Sequence, residues 1–558
     1  MDHRSSPRRM TGGAAIVEAL VANGVDTVFG LPGAQMYPLF DALKQREAAI
    51  RTFGARHEQA CGYMAFGFAR STGRPGVYAV VPGPGVLNTT AALCTAYGTN
   101  SPVLCLTGQV PSAFIGRGRG HLHELPDQLA TLRTLTKWAE RIERVEDAPA
   151  VIDEAFRRML SGRPGPVAVE MAWDVMAGEA EVALRPAAPP DPRPAIDGEA
   201  VARAARMLVE AERPMIMVGS GAQAASAAVL ALADAVEAPV AAHRGGRGIV
   251  SEDHPLGVSS YAARLLWDGT DVLLGIGSRL EMPYMRWAGM MAYVRRPEAP
   301  PRLIRLDVDP AEFDRLVPEI GLLGDAEDGA LALLDAVRAL RAKPKPGRRE
   351  AIAAAKAGAR AAVEAVQPQM AYLDAIRRVL PRDGFYVNEL CQVGFASYFG
   401  WPVHEPRTYV TEGYQGTLGF GFPTALGVKV AHPDRAVVSV TGDGGFLFGV
   451  QELATAAQER IGLVTIVFDN ASYGNVMRDQ QTGFGNRLIG STLDNPDFLG
   501  LAEAFGVAGA RVSTPDGLAE ALAAALDRDG PTLIAVAVPQ GSEASPWPFI
   551  HPPARPPS

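Results

Sequence analysis

Short, unbroken runs of apolar residues, many of them β-branched, alternate with longer helical patterns along nearly the whole chain, and this alternation leaves few folds open. VYAVV (residues 77–81) and PVLCLTG (102–108) come first. PMIMVGSG (214–221), DVLLGIGS (271–278) and RLIRLDVD (302–309) follow, and AVVSVTGDG (436–444) and LVTIVFDN (463–470) complete the series. A strand that is apolar on both faces belongs in a parallel sheet with helices covering each side. Two stretches divide the runs. RPAAPPDPRPAI (185–196) holds too much proline for a helix or a central strand, and the second opens with KPKPGRRE and continues into an alanine-rich, helix-forming segment. The pattern predicts an α/β chain of three doubly wound parallel-sheet domains: residues 1–184, 185–342 and 369–558, with 343–368 as a linker. No short-period repeat is visible.

Composition narrows the function classes. The 558 residues match three or four domains at about 150 residues each. A net charge of −8 offers no basic surface for nucleic acid and is too mild for an acidic tail. The four cysteines, Cys61, Cys94, Cys105 and Cys391, include no C-x-x-C pair, which disfavours a zinc ribbon or a disulfide scaffold and fits a reducing cytosol. The polar, basic first ten residues lead into no apolar core of a signal peptide. No run of about 18 apolar residues occurs. The expectation is a cytoplasmic protein without a membrane span.

The motif richest in chemistry is Gly442-Asp443-Gly444-Gly445, at the end of one apolar run and the start of a helical pattern, FLFGVQELATAAQER. Glycines there let backbone N–H groups approach a phosphate, and a helix start favours negative charge. A bare phosphate would be repelled by Asp443, so a divalent cation is expected between them. The next apolar run ends in Asp469-Asn470, followed by Ala471-Ser472-Tyr473-Gly474. A carboxylate, an amide oxygen and a carbonyl near Ser472 make the hard oxygen shell that magnesium prefers. G-D-G or D-N alone marks many ordinary turns; their placement at the ends of consecutive strands is what raises the pair above that.

The segment GDGGFLFGVQELATAAQERIGLVTIVFDNASYGN resembles the diphosphate- and magnesium-binding motif of thiamine-diphosphate enzymes, which runs from G-D-G to N-N about thirty residues later. Asp469 replaces the first Asn, and Asn470 retains the second. ARHEQACGYMAFGFAR (55–70) is similar to the family segment whose glutamate, here Glu58, bonds N1′ of the aminopyrimidine and so promotes loss of the C2 proton; that role calls for a carboxyl shielded from other negative charge. VFGLPGAQMYPLFDAL, VVPGPGVLNTTAAL, LTGQVP and GYQGTLGFGFPTALG resemble the acetolactate-synthase branch. The likeness spans roughly residues 12–539. It implies thiamine diphosphate held by Pro32, Glu58, Pro82 and Asn88 of the first domain. In the last domain it implies Gln392, Thr417, Leu418, Gly442, Asp443, Gly444, Gly445, Phe446, Asn470, Tyr473, Gly474 and Asn475. Asp443, Asn470 and Ser472 would hold Mg²⁺, Leu418 would be the apolar wedge that bends the cofactor, and Glu58, Gln109 and His123 would be the catalytic side chains. The resemblance also implies a homodimer or homotetramer with its sites between subunits.

Departures from that branch limit the transfer. Its flavin segment, R-F-D-D-R-V-T-G, is replaced by GSRLEMPYMRWAG (277–289), so bound FAD is not favoured, although Gly219-Ser220-Gly221 follows a strand. Its Q-W-E run is replaced by NVMRDQ (475–480), which alters the acceptor pocket. TLTKWAERI and MAWDVM resemble benzaldehyde lyase, whose G-L-H-G-A-H loop here carries Pro32 and Gln35 instead. The expected substrate is a 2-keto acid or an acyloin. The expected reaction is decarboxylation of a pyruvate-type 2-keto acid with carboligation, as in acetolactate synthase; the alternatives are benzaldehyde lyase-, simple decarboxylase- or cyclic diketone hydrolase-type chemistry with the same cofactor. A Rossmann-type oxidoreductase would leave Glu58 and Asp443–Asn470 unexplained, and the intact cofactor anchors weigh against a non-catalytic cofactor-binding or scaffold protein.

Overall fold

The computed structural model describes residues 7–287, 301–341 and 343–552. It contains three six-stranded sheets, each parallel throughout. The first runs, edge to edge, Arg51–Gly54, Thr27–Gly30, Gly76–Val80, Val103–Gln109, Val167–Ala172 and Trp138–Ile142. The second runs Gly257–Val258, Val240–Ala242, Pro214–Val218, Val272–Ile276, Arg302–Asp307 and Ile320–Leu323. The third runs Tyr409–Val410, Phe385–Asn388, Val437–Gly442, Val464–Asp469, Thr532–Ala537 and Ala508–Val512. The central strands are buried, but for Gly442 at the end of Val437–Gly442, as their continuous apolar sequence requires. A short antiparallel pair, Arg8–Thr11 with Glu179–Val182, closes the first unit. Among the described residues no helix is long and apolar enough to cross a membrane.

Residues 183–197 form neither helix nor strand. The alanine-rich stretch is the helix Arg348–Val363. It is more than a tether, because Ile352 and Ala359 pack into the core of the middle unit and Val363 into that of the last.

The first and third sheets share a core across a helix pair, Glu58–Thr72 and Gly421–Ala431. Gly67 meets the carbonyl of Thr424, and Gly427 meets that of Met64; a Cβ at either glycine would lie 2.1 or 2.0 Å from those oxygens. Residue 67 opposes 424 and 64 opposes 427, so the helices run antiparallel. Phe420 packs edge-on against Tyr63 and Phe66, with ring centroids 5.6 and 5.5 Å away. The reciprocal glycine contact lets the backbones approach closely enough for these rings to fill the flanks.

Candidate active site

The strands Val437–Gly442 and Val464–Asp469 lie side by side, which brings the two halves of the G-D-G and D-N signal together. The long helix expected after Gly445 is broken. One turn forms at Asp443–Phe446, a 3₁₀ turn at Val450–Glu452, and a helix at Leu453–Gln458. Gly449 sits in the break, and beyond it the buried Glu452 turns to the first unit. Its carboxylate accepts from the N–H groups of Arg56 at 3.1 Å and His57 at 3.0 Å, at the start of the Glu58 helix.

Asp443 is buried and accepts from Gly444 N–H at 2.8 Å and from Asn495 Nδ2 at 2.7 Å. The same Asn495 nitrogen donates to Asp469 at 2.8 Å, and its Oδ1 is buried without a partner. Burial above all, together with the nearby Asp469 charge, pushes the Asp443 carboxyl above its ordinary range. Asn470 Oδ1 accepts from the N–H and hydroxyl of Ser472 at 3.1 and 3.0 Å, while its Nδ2 donates to Glu543 at 2.6 Å. Glu543 is also raised, mainly by burial and further by Asp443. This acid-rich cluster of oxygen donors, with an orphaned buried amide oxygen beside it, fits a hard divalent cation.

The neighbouring cavity, about 250 Å³, is lined by Gln392, Leu418, Gly442, Asp443, Gly444, Gly445, Asn470, Ser472, Tyr473, Gly474, Asn475 and Glu543. Thr417 lies beside it with its hydroxyl 3.2 Å from that of Thr95. Phe446 points away into the core, against Phe422 and Phe498. The C-terminal segment closes the rim: Trp547 Nε1 donates to Asn475 Oδ1, and Glu543 holds Asn470. Sequence reading missed Glu543, Asn495 and Trp547, which lie far from the motif and follow no spacing rule.

In the first unit, Glu58 opens its helix behind His57, whose ring accepts from Gln59 N–H at 3.1 Å. Glu58 is half-buried and accepts from Asn88 Nδ2 at 2.9 Å. Pro32 is exposed, and Pro82 is buried in the turn after Gly76–Val80. Gln109 is committed to the interior: Nε2 donates to Glu170 at 3.4 Å and Oε1 accepts from Val110 N–H at 2.8 Å. Gln128, which sequence reading did not single out, clamps this wall by accepting from Gly83 N–H at 2.8 Å and donating to Glu170 at 2.8 Å and the Gly108 carbonyl at 3.0 Å. His123 Nδ1 lies 2.7 Å from Gln35 Oε1. Burial lowers the His123 pKa, while the Glu58 charge opposes that shift.

Comparison with known proteins gives the same picture over the whole chain. Residues 10–131, 201–335 and 391–536 match the N-terminal TPP-binding, central and C-terminal TPP-binding domains of thiamine pyrophosphate enzymes. A probable acetolactate synthase large subunit of Methanocaldococcus jannaschii is 35% identical, covering 98% of this chain and 94% of the relative. A probable 2-ketoarginine decarboxylase of Pseudomonas aeruginosa is also 35% identical, over 94% of each chain. Acetolactate synthase isozyme 2 large subunit of Escherichia coli K12 is 32% identical over 97% of this chain and 98% of its own. The chain therefore belongs to the thiamine pyrophosphate enzymes and is a thiamine-diphosphate-dependent, acetolactate synthase-like member of that family.

Proposed function

We propose that this enzyme decarboxylates a 2-keto acid and joins the remaining acyl unit to a carbonyl acceptor. The observation that carries this reading is the pairing of an anion-and-cation cradle at Asp443 and Asn470 with a carboxyl at Glu58, built on two sheets of one chain. When bound, thiamine diphosphate would supply a nucleophilic carbon and an electron sink for the decarboxylation. Asp443, Asn470 and Ser472 would hold Mg²⁺, which would offset the charge that Asp443 and the diphosphate oppose to each other. Glu58 holds and returns a proton at the aminopyrimidine ring nitrogen, and Asn88 fixes its carboxylate. Leu418 lines the cavity and would pack against the cofactor there. His123 moves protons at the substrate oxygen, and Gln109 stiffens the wall through Glu170.

Glu58 is only half-buried in one chain, whereas its role calls for a shielded carboxyl, and this supports a dimer or tetramer in which a second copy completes each site and covers Glu58. The middle unit is proposed to work without flavin. Its strand ends line a space of about 110 Å³ against Thr411 and Tyr414 and a second cavity of about 570 Å³, so what disfavours flavin is the replaced segment at 277–289 and not a lack of room. Glu281 and Arg244 pair across the smaller space at 3.3 Å, and Arg279 lies over the Tyr414 ring.

A second reading, decarboxylation ended by a proton instead of an acceptor, is favoured by His123 standing near Glu58 as a proton carrier. Product analysis on a panel of 2-keto acids, offered singly and in pairs, separates the two. Carbon dioxide with a joined hydroxyketone supports the first reading and a free aldehyde the second. No carbon dioxide from any 2-keto acid with loaded enzyme overturns both.

A further inference from the structure

Gln35 and His123 sit on different loops, and both have backbone in the left-handed region, at φ 67° and φ 69°. Neither is glycine, so each conformation costs of order 1 kcal/mol and persists only where the surroundings enforce it. Gln35 is 1% exposed. Its two amide ends are told apart by their partners. One end lies 2.9 Å from the carbonyl oxygen of Leu122, which can only accept, so that end is Nε2. The other end is therefore the oxygen, and it faces His123 Nδ1 at 2.7 Å. An amide oxygen cannot donate, so the hydrogen in this contact belongs to the ring.

We infer that Gln35 is a positioning residue that fixes His123 as the Nδ1–H tautomer and presents Nε2, with its lone pair, to the reacting substrate. This rests on the reading of His123 as the proton carrier. Gln35 grips the chain on both sides of one peptide, holding the Leu122 carbonyl and the His123 ring together. Ring rotation and tautomer are thus set by a single buried amide. Nε2 is then the one atom of the ring free to accept a proton, and the atom that returns it. The charged groups acting on the ring are Glu58 and His121. Burial keeps the ring neutral at neutral pH, so the base form is the resting form.

The test uses the full chain loaded with thiamine diphosphate, with ¹⁵N-labelled histidine and His123→Gln to assign the ring. His123 in the wild type should show the Nδ1–H pattern. In Gln35→Ala it should become a mixture dominated by Nε2–H, with kcat lowered about tenfold and KM and cofactor affinity unchanged. In Gln35→Glu the Nδ1–H form should persist, and the facing carboxylate should move the acidic limb of the rate profile up by ~1–2 pH units. An Nε2–H pattern in the wild type overturns the inference whatever the substrate proves to be. So does a Gln35→Ala variant that loses cofactor binding and turnover together, the mark of a merely structural role. Failure to release carbon dioxide with the Nδ1–H pattern intact overturns the proposed reaction and leaves the tautomer assignment standing.

Discussion

The first and last sheets share one topology. Counted in chain order, the strands of both lie 2-1-3-4-6-5, whereas the middle sheet has the dinucleotide-type order 3-2-1-4-5-6. Ligands bind such sheets at the carboxyl ends, where the strand order reverses. At that position the last sheet carries Glu389 after its first strand, Asp443 after its third and Asp469-Asn470 at the end of its fourth. The first sheet carries Leu31, Val81 and Gln109 at the matching places. One topology thus presents a charged rim, suited to a cation and phosphate, and a neutral rim, suited to an aromatic ring. The equivalent helices after the second strands pack on each other through reciprocal glycines. Within one chain, the two units pack like related copies while their chemistry has diverged.

The largest expected effect falls on the charged rim. Asp443→Ala should abolish retention of thiamine diphosphate, measured by cofactor fluorescence after gel filtration. Normal affinity in the presence of EDTA would remove Asp443 from the metal site. In the first unit, Glu58→Gln should still bind the cofactor, yet turnover and hydrogen–deuterium exchange at C2 should slow by ~10²–10⁴-fold. Unchanged exchange would assign cofactor activation to another group.

A smaller difference concerns pH. Glu389 is buried, and that burial pushes its carboxyl up to about 7. It accepts from Gly421 N–H at 3.0 Å and Thr441 Oγ1 at 2.9 Å. A carboxyl that binds its proton more tightly folded than unfolded stabilises most at low pH. Its contribution is lost as pH rises from about 4.5 to about 7, on the order of 3 kcal/mol in all. The stability of cofactor-free protein should fall over that window and do so less in Glu389→Gln; identical slopes would place the titration elsewhere. The smallest effects test the pseudo-symmetry. Gly67→Ala and Gly427→Ala should each cost about 1–3 kcal/mol by overpacking. Unequal costs would show that the two helices are not equivalent in packing.

Much of this was legible from the residues. Strands apolar on both faces announced the parallel sheets, and the Asp443 and Asn470 signals fell at adjacent strand ends. The duplication was not legible, because the helices that share a place in the topology have in common little more than AFG against ALG at their crossing. The helix break after Phe446 was hidden as well. Its sequence suits a continuous helix, and what redirects it is Glu452, whose partners lie almost 400 residues earlier. Gln109 carried a strong motif position, yet its amide is spent on Glu170 and Val110. Gln35 and Gln128, which shape the same wall, stood in no recognisable spacing because their partners, backbone groups together with the His123 ring and the Glu170 carboxylate, lie 20 to 88 residues away.

Glu452 also bears on how such chains can recombine. A carboxylate rooted in the last unit caps the helix that delivers Glu58 from the first, so the two units are not interchangeable parts. A hybrid joining residues 1–184 of one relative to 369–558 of another would inherit intact sheets from both parents. Unless the second parent also supplies an acid at this position and the first the same helix entry, buried N–H groups lose their acceptor at ~1–3 kcal/mol each. Productive crossovers should therefore keep Glu452 and the Arg56-His57 entry together, and hybrids that part them should fold with Glu58 out of register.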